Sequence, residues 1–95
     1  MYKLQKFDDN DNPIDAPFDL MSSYRIAVYV KRNFKKHRTV VELQGFMLTA
    51  LCSKLNVEKV NMPKTIQGLI DGWQGFDGSY NVTKQVNALI VNALM

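Results

Sequence analysis

The feature that most constrains the fold is one long apolar stretch, Thr39 to Leu55, with the sequence TVVELQGFMLTALCSKL. Thr39 and Glu42 stand three residues apart just before the apolar run, which is the spacing of a capping box and predicts a helix start. At helical spacing the apolar side chains cover more than half of the circumference, so we expect this helix to be buried at the centre of the protein. Asn56 tolerates left-handed backbone and is predicted to end the helix.

Residues 22–37 fit two structures. As a helix, Ile26, Ala27, Val30 and Phe34 form one apolar stripe, and Ser22 or Ser23 caps its start. As a strand, apolar residues alternate with polar ones from Tyr24 to Lys31, and the β-branched content fits. We favour the helix because the apolar spacing continues to Phe34. The strand alternative would pair with residues 2–7, whose alternation indicates an extended segment.

Two further helices are predicted in the second half of the chain. Pro63 suits the first turn of a helix that Gly72 and Gly75 would end, with its core-facing side chains at Ile66, Leu69, Ile70 and Trp73. Asn81 or Ser79 caps the last helix, which places Val82, Val86, Leu89, Ile90 and Ala93 on one face. The predicted fold is therefore mainly α, a bundle of about four helices behind a short extended N-terminal arm. The alternative is an α+β fold with a small N-terminal antiparallel hairpin.

Length and composition favour a single domain over residues 1–95. With 95 residues, of which 46% are hydrophobic and 22% charged, the chain is ordinary for one globular domain. We divide it into an extended arm and acidic loop over residues 1–18 and a helical core over residues 19–95. Residues 1–12 carry charges throughout, without the apolar segment of a secretory signal, so we expect a cytoplasmic protein. The apolar stretch at residues 39–55 is too short and interrupted to span a membrane, and no membrane association is expected.

The basic residues are concentrated between residues 25 and 38, which favours an anionic partner. Lysine and arginine release counterions from phosphates, and this term dominates non-specific affinity for nucleic acid. We therefore predict a non-enzymatic regulator that contacts nucleic acid through a basic helix. The predicted nucleic-acid-binding residues are Arg25, Tyr29, Lys31, Arg32, Lys35, Lys36 and Arg38. A solvated helix end, whose cations meet the helix dipole, is the alternative explanation.

A protein-binding role is the rival hypothesis. Asp8, Asp9 and Asp11 lie in an acidic loop that could imitate phosphate toward a basic groove, as an inhibitor or adaptor does. The small and polar strip Glu42, Gly45, Thr49 and Ser53 of the central helix could admit a neighbouring helix closely, or could simply face solvent. Val91 and Met95 fall off the apolar face of the last helix, and we predict that they contribute to a homodimer contact.

A weak likeness to a helix-turn-helix runs through the segments 52–57 and 65–70. The connection over residues 57–62 is longer than the usual turn of three to four residues. The outward residues of the second segment, Lys64, Thr65, Gln67 and Asp71, are a poor set for reading bases. We assign no family from this pattern.

Catalysis has little support in the sequence. His37 is the one histidine and Cys52 the one cysteine, and Cys52 lies in the predicted buried helix. No nucleophile with a base and an orienting group can be assembled from these residue types. The acidic loop lacks the glycine and the terminal glutamate of a calcium-binding loop. We therefore expect no enzyme activity, no metal and no cofactor.

Overall fold

The computed structural model describes residues 16–95, which form an antiparallel hairpin with three helices against one of its faces. The elements are β1 (Ser23–Arg32), β2 (Lys35–Gln44), α1 (Gly45–Leu55), a 3-10 turn (Lys59–Asn61), α2 (Met62–Asp71) and α3 (Val82–Leu94). The predicted four-helix bundle is wrong, because the first half of the described chain is β structure. The α+β alternative fits. In residues 16–95 no helix is long and apolar enough to cross a membrane.

Residues 23–32 form a strand, not the favoured helix. Ile26, Val28 and Val30 are buried while Arg25 and Tyr29 are exposed, which is the period-two pattern of a half-buried strand. β-branched side chains pack well on such a pleated surface, and here three of them cover the core. Within residues 16–95 the partner of this strand is β2, and the predicted pairing with residues 2–7 stays a prediction. Residues 2–7 themselves lie outside the described part of the chain.

The capping-box prediction fails in the same way. Residues 39–44 continue β2, with Val41 and Leu43 buried and Val40 and Glu42 exposed. The helix α1 begins five residues later than predicted, at Gly45, and its N-cap Gln44 is extended and makes no side-chain capping hydrogen bond. Thr39 and Glu42 satisfy a helix-start pattern by spacing alone. The alternation around them matches a strand, and burial against the helices selects it.

The helix ends in the second half follow the sequence prediction. Asn56 closes α1 in the left-handed conformation, with φ 53° and ψ 50°. Pro63 lies in the first turn of α2, and Gly72 is its C-cap. The last helix starts directly after Asn81, although the side chain of Asn81 makes no capping hydrogen bond.

One core joins the hairpin to all three helices. α1 packs on β2 and α3, and α2 packs on β1 and α3. The central role expected for α1 is correct for Leu48, Leu51 and Cys52, which are buried. Trp73, expected to face the core, is 43% exposed. The buried apolar set is Phe18, Ile26, Val28, Val30, Val41, Leu43, Leu48, Leu51, Cys52, Met62, Ile66, Ile70, Val86 and Ile90.

Candidate nucleic-acid interface

The hairpin places most of the predicted cations on one open surface. In the β1–β2 register Tyr29 stands opposite Arg38, and Lys31 stands opposite Lys36. Residues directly opposite each other in an antiparallel pair point to the same face of the sheet. This face is the one turned away from the core residues Val28 and Val30. We call it the outer face; its residues are Ser23, Arg25, Ala27, Tyr29, Lys31, Lys36, Arg38, Val40, Glu42 and Gln44.

The outer face is exposed and positively charged. All of its residues except Ala27 are exposed. Arg25 stands opposite Glu42 in the register, and Glu42 is the one carboxylate in the sequence of the hairpin. The Nζ atom of Lys36 lies 5.6 Å from the centroid of the Tyr29 ring, within the range of a cation–π contact. Within the sequence of the hairpin a single acid therefore balances these cations, and Asp71 of α2 lines a groove together with Lys31 and Lys36.

Arg32 and Lys35 belong to the opposite side of the hairpin. They pair across the strands directly before the turn, beyond the last buried residue of β1. The Nε atom of Arg32 donates a hydrogen bond of 2.5 Å to the carbonyl oxygen of Gly78 in the connection between α2 and α3. Arg32 therefore has a structural role as well as a charge, and the predicted cations do not all act as one group.

Like charges face each other at the end of the hairpin. Lys31 is paired with Lys36, and Arg32 with Lys35. Like charges directly opposite in a sheet are destabilising, so this arrangement costs stability in the unliganded protein. A bound polyanion would remove that repulsion. The predicted basic helix is wrong. The hairpin nevertheless brings cations that are distant in sequence into direct cross-strand pairs, Lys31 with Lys36 and Arg32 with Lys35.

The turn of the hairpin contains Phe34, which the sequence places in a helix. Asn33 and Phe34 both have positive φ, 50° and 66°, the requirement of a type I′ turn. Phe34 was expected in the apolar stripe of a helix, and its side chain is instead fully exposed. Asn33, between two segments in which apolar and polar residues alternate, was the sequence signal for this turn. The signal was incomplete because Phe occupies the position where Gly is usual.

The edge of β1 is closed by a side chain of α2. The backbone N–H of Tyr29 donates to Gln67 Oε1 at 2.7 Å, and Gln67 Nε2 donates to the carbonyl oxygen of Tyr29 at 2.9 Å. Gln67 thereby substitutes for a neighbouring strand at Tyr29. It is not available as an outward residue of a recognition helix. Strand addition at this point of the edge is blocked.

The small-residue strip of the predicted central helix is not a free face. Gly45 is buried, and its N–H donates to the carbonyl oxygen of Ser22 at 2.8 Å. Thr49 Oγ1 donates to the carbonyl oxygen of Phe18 at 3.2 Å. The segment before β1 therefore covers Gly45 and Thr49. Both alternatives for the strip, docking of a partner helix and simple exposure to solvent, are wrong at these two positions.

The remaining partner-binding predictions divide into two groups. Asp8, Asp9 and Asp11 lie outside the described residues. Val91 and Met95 are 49% and 89% exposed, off the buried Val86 and Ile90 stripe of α3. Both side chains are therefore exposed among the described residues, and their part in a homodimer contact stays a prediction.

A groove of about 680 Å³ adjoins the basic hairpin where β2 meets the start of α3. Arg32 and Lys84 contribute its positive charge, and Thr39 and Val40 form its wall on the hairpin side. Its other lining residues are Ser79, Tyr80, Asn81, Val82, Thr83 and Asn87. The charged surface thus continues past Arg32 toward α3.

Cys52 is buried in α1. Burial raises the pKa of its thiol above the ordinary value of 9.0, which keeps it protonated and poorly nucleophilic near neutral pH. Within residues 16–95 no group of three or more His, Cys, Asp or Glu side chains is arranged to hold a metal ion.

Comparison of the chain with protein-family models, with curated proteins and with solved structures finds no match.

Proposed function

We propose that the protein is a non-enzymatic nucleic-acid-binding protein and that it holds the phosphate backbone against the outer face and tip of its hairpin. The observation that carries the proposal is the exposed outer face, which presents Arg25, Lys31, Lys36 and Arg38 with Glu42 as the one acid among its residues. Phosphate contacts of this kind give affinity without direct sequence information. The expected role is accessory or regulatory, with sequence-tolerant binding.

The dimensions of the outer face support a backbone contact. Arg25 and Lys31 are six residues apart on β1, and a strand rises about 3.3 Å per residue, so they are separated by about 20 Å. Along one strand of a duplex, phosphates follow each other at about 3.4 Å of axial rise. The outer face can therefore reach several successive phosphates of one strand.

The salt dependence of binding tests this proposal. Each neutralised phosphate contributes about −0.9 to the slope of log affinity against log salt on duplex DNA and about −0.7 on a single strand. Lys31→Ala should flatten the slope by about one such increment, and Lys31→Ala/Lys36→Ala by about two, with similar effects on different base sequences. The measurement is fluorescence anisotropy of labelled oligonucleotides across a salt series.

Lys54→Ala is the matched control, since Lys54 is an exposed cation in the last turn of α1, outside the hairpin. It removes the same charge and should leave the slope at the wild-type value. Absence of wild-type binding at about 50 mM salt, where electrostatic contacts are strong, would overturn the proposal. The basic hairpin would then be a solvated surface or a docking site for an acidic protein.

A further inference from the structure

The side chain at the tip of the hairpin has no packing role in the described structure. Phe34 is fully exposed, and its backbone is left-handed, with φ 66°. A bulky residue in this conformation is a true outlier, and Gly would adopt it without steric cost. Because the ring buries no surface that would offset this cost, the structure gives no stability reason for Phe at this position. Such outliers are concentrated at functional sites.

The surroundings of Phe34 indicate what its ring would contact. Lys35 follows it directly, and the pairs Arg32–Lys35 and Lys31–Lys36 form the end of the hairpin beneath it. A bare aromatic ring at the end of a cationic surface is the combination by which proteins hold single-stranded nucleic acid, where bases stack on aromatic side chains and cations follow the backbone. Tyr29, 47% exposed on the outer face, supplies a second ring, although Lys36 approaches that ring.

The choice between single and double strands follows from the access that each gives to base faces. In a duplex the base faces are covered by their neighbours, and an inserted side chain must first unstack a base step. In a single strand the bases are free to stack on a ring that projects from a turn.

Resting on the proposed function, we infer that the ligand of this hairpin is single-stranded nucleic acid and that Phe34 stacks against one of its bases. The cations supply the sequence-independent part of the affinity, and the ring supplies the preference for unpaired bases. Because every base has an aromatic face, this preference does not select a particular sequence.

Phe34→Ala tests the inference. The ligand is a single-stranded oligonucleotide of about 16 nucleotides, the longest site that one OB fold typically covers. The variant should bind it about 5- to 150-fold more weakly than the wild type does. Its salt slope should not change, because no charge is removed. Phe34→Trp should keep the wild-type affinity, and the wild type should bind the single strand more tightly than a duplex of equal length.

Phe46→Ala is the matched control, since Phe46 is a half-exposed ring on α1 and not part of the hairpin. It should bind like the wild type. Equal affinity of Phe34→Ala and wild type for the single strand, or tighter wild-type binding to the duplex, would overturn the inference. If the wild type binds neither ligand, the proposed function fails. If it binds with a slope that Lys31→Ala flattens but Phe34→Ala leaves affinity unchanged, the stacking inference alone fails.

Discussion

At the scale of single residues, the hairpin is held against the helices by close backbone approach at Gly78. A Cβ atom at this position would lie 2.3 Å from the carbonyl oxygen of Lys31 and 3.0 Å from the Cβ of Val30. The same residue accepts the hydrogen bond from Arg32 Nε. Gly78 thus makes two contacts with β1, one by lacking a side chain and one through its carbonyl group.

Gly78→Ala should destabilise the protein by about 1–3 kcal/mol, as expected when atoms are forced into a packed region. The oxygen that the new methyl group would meet belongs to the backbone, so it cannot move aside like the end of a flexible side chain. The measurement is the free energy of unfolding from urea denaturation.

Gly68→Ala is the matched control because a Cβ at Gly68, in the middle of α2, would meet no atom within 4 Å apart from its chain neighbours and the backbone of its own helix. This control should gain about 0.5–1 kcal/mol from better helix propensity. Equal stability of Gly78→Ala and wild type would show that the connection does not press on β1.

At the scale of elements, the end of the hairpin carries a charge repulsion that lowers its own stability. Two like-charge pairs, Lys31–Lys36 and Arg32–Lys35, face each other at its end. At the end of the hairpin away from the turn, burial of apolar side chains offsets this loss of stability. The residues that pack there in the core are Tyr24, Ile26, Val41 and Leu43. The hairpin is therefore stabilised where it packs on the helices and destabilised by like charges near its turn.

Lys31→Glu should stabilise the hairpin by about 0.2–1 kcal/mol, because it replaces a like-charge pair with an opposite-charge pair opposite Lys36. Added salt should stabilise the wild type more than the variant, since salt screens the repulsion that the variant lacks. The same substitution should weaken nucleic-acid binding. Urea denaturation at low and high salt measures the stability effect, and a variant less stable than the wild type at low salt would contradict it.

At the scale of the whole molecule, two of the surfaces exposed within residues 16–95 are candidates for contacts, because all three helices lie on one face of the hairpin. One is the basic outer face, and the other is the apolar side of α3 that includes Val91 and Met95. A dimer through α3 would carry two hairpins, and two linked hairpins would bind one strand with higher avidity than either alone when both can reach it.

We predict that the protein forms a symmetric dimer through Val91 and Met95 and that Val91→Asp shifts it to the monomer, because a buried unpaired charge is costly. Sedimentation velocity at high micromolar concentration measures the change. Val60→Asp is the control, since Val60 is exposed in the 3-10 turn, outside α3, and it should leave the mass unchanged. A wild-type monomer at that concentration would contradict the prediction.

The sequence by itself determined the features that depend on local backbone chemistry. Asn56 ends α1 because it tolerates the left-handed region, and Pro63 starts α2 because the first helical turn needs no N–H at that position. The cations between Arg25 and Arg38 were also evident as candidates for an anionic ligand. Each of these inferences depends on a residue and its near neighbours in the chain.

Tertiary structure decided the part of the chain where two local patterns compete. Residues 23–44 carry helix-like spacings at Ile26, Val30 and Phe34 and a capping box at Thr39, together with period-two alternation. Which pattern prevails depends on whether a partner strand and a set of helices bury one face, and that burial involves residues far apart in sequence. The strand pairing then fixed which cations share the outer face, and the turn placed Phe34 at the tip. Neither could be predicted from one strand, because register is a property of two paired strands.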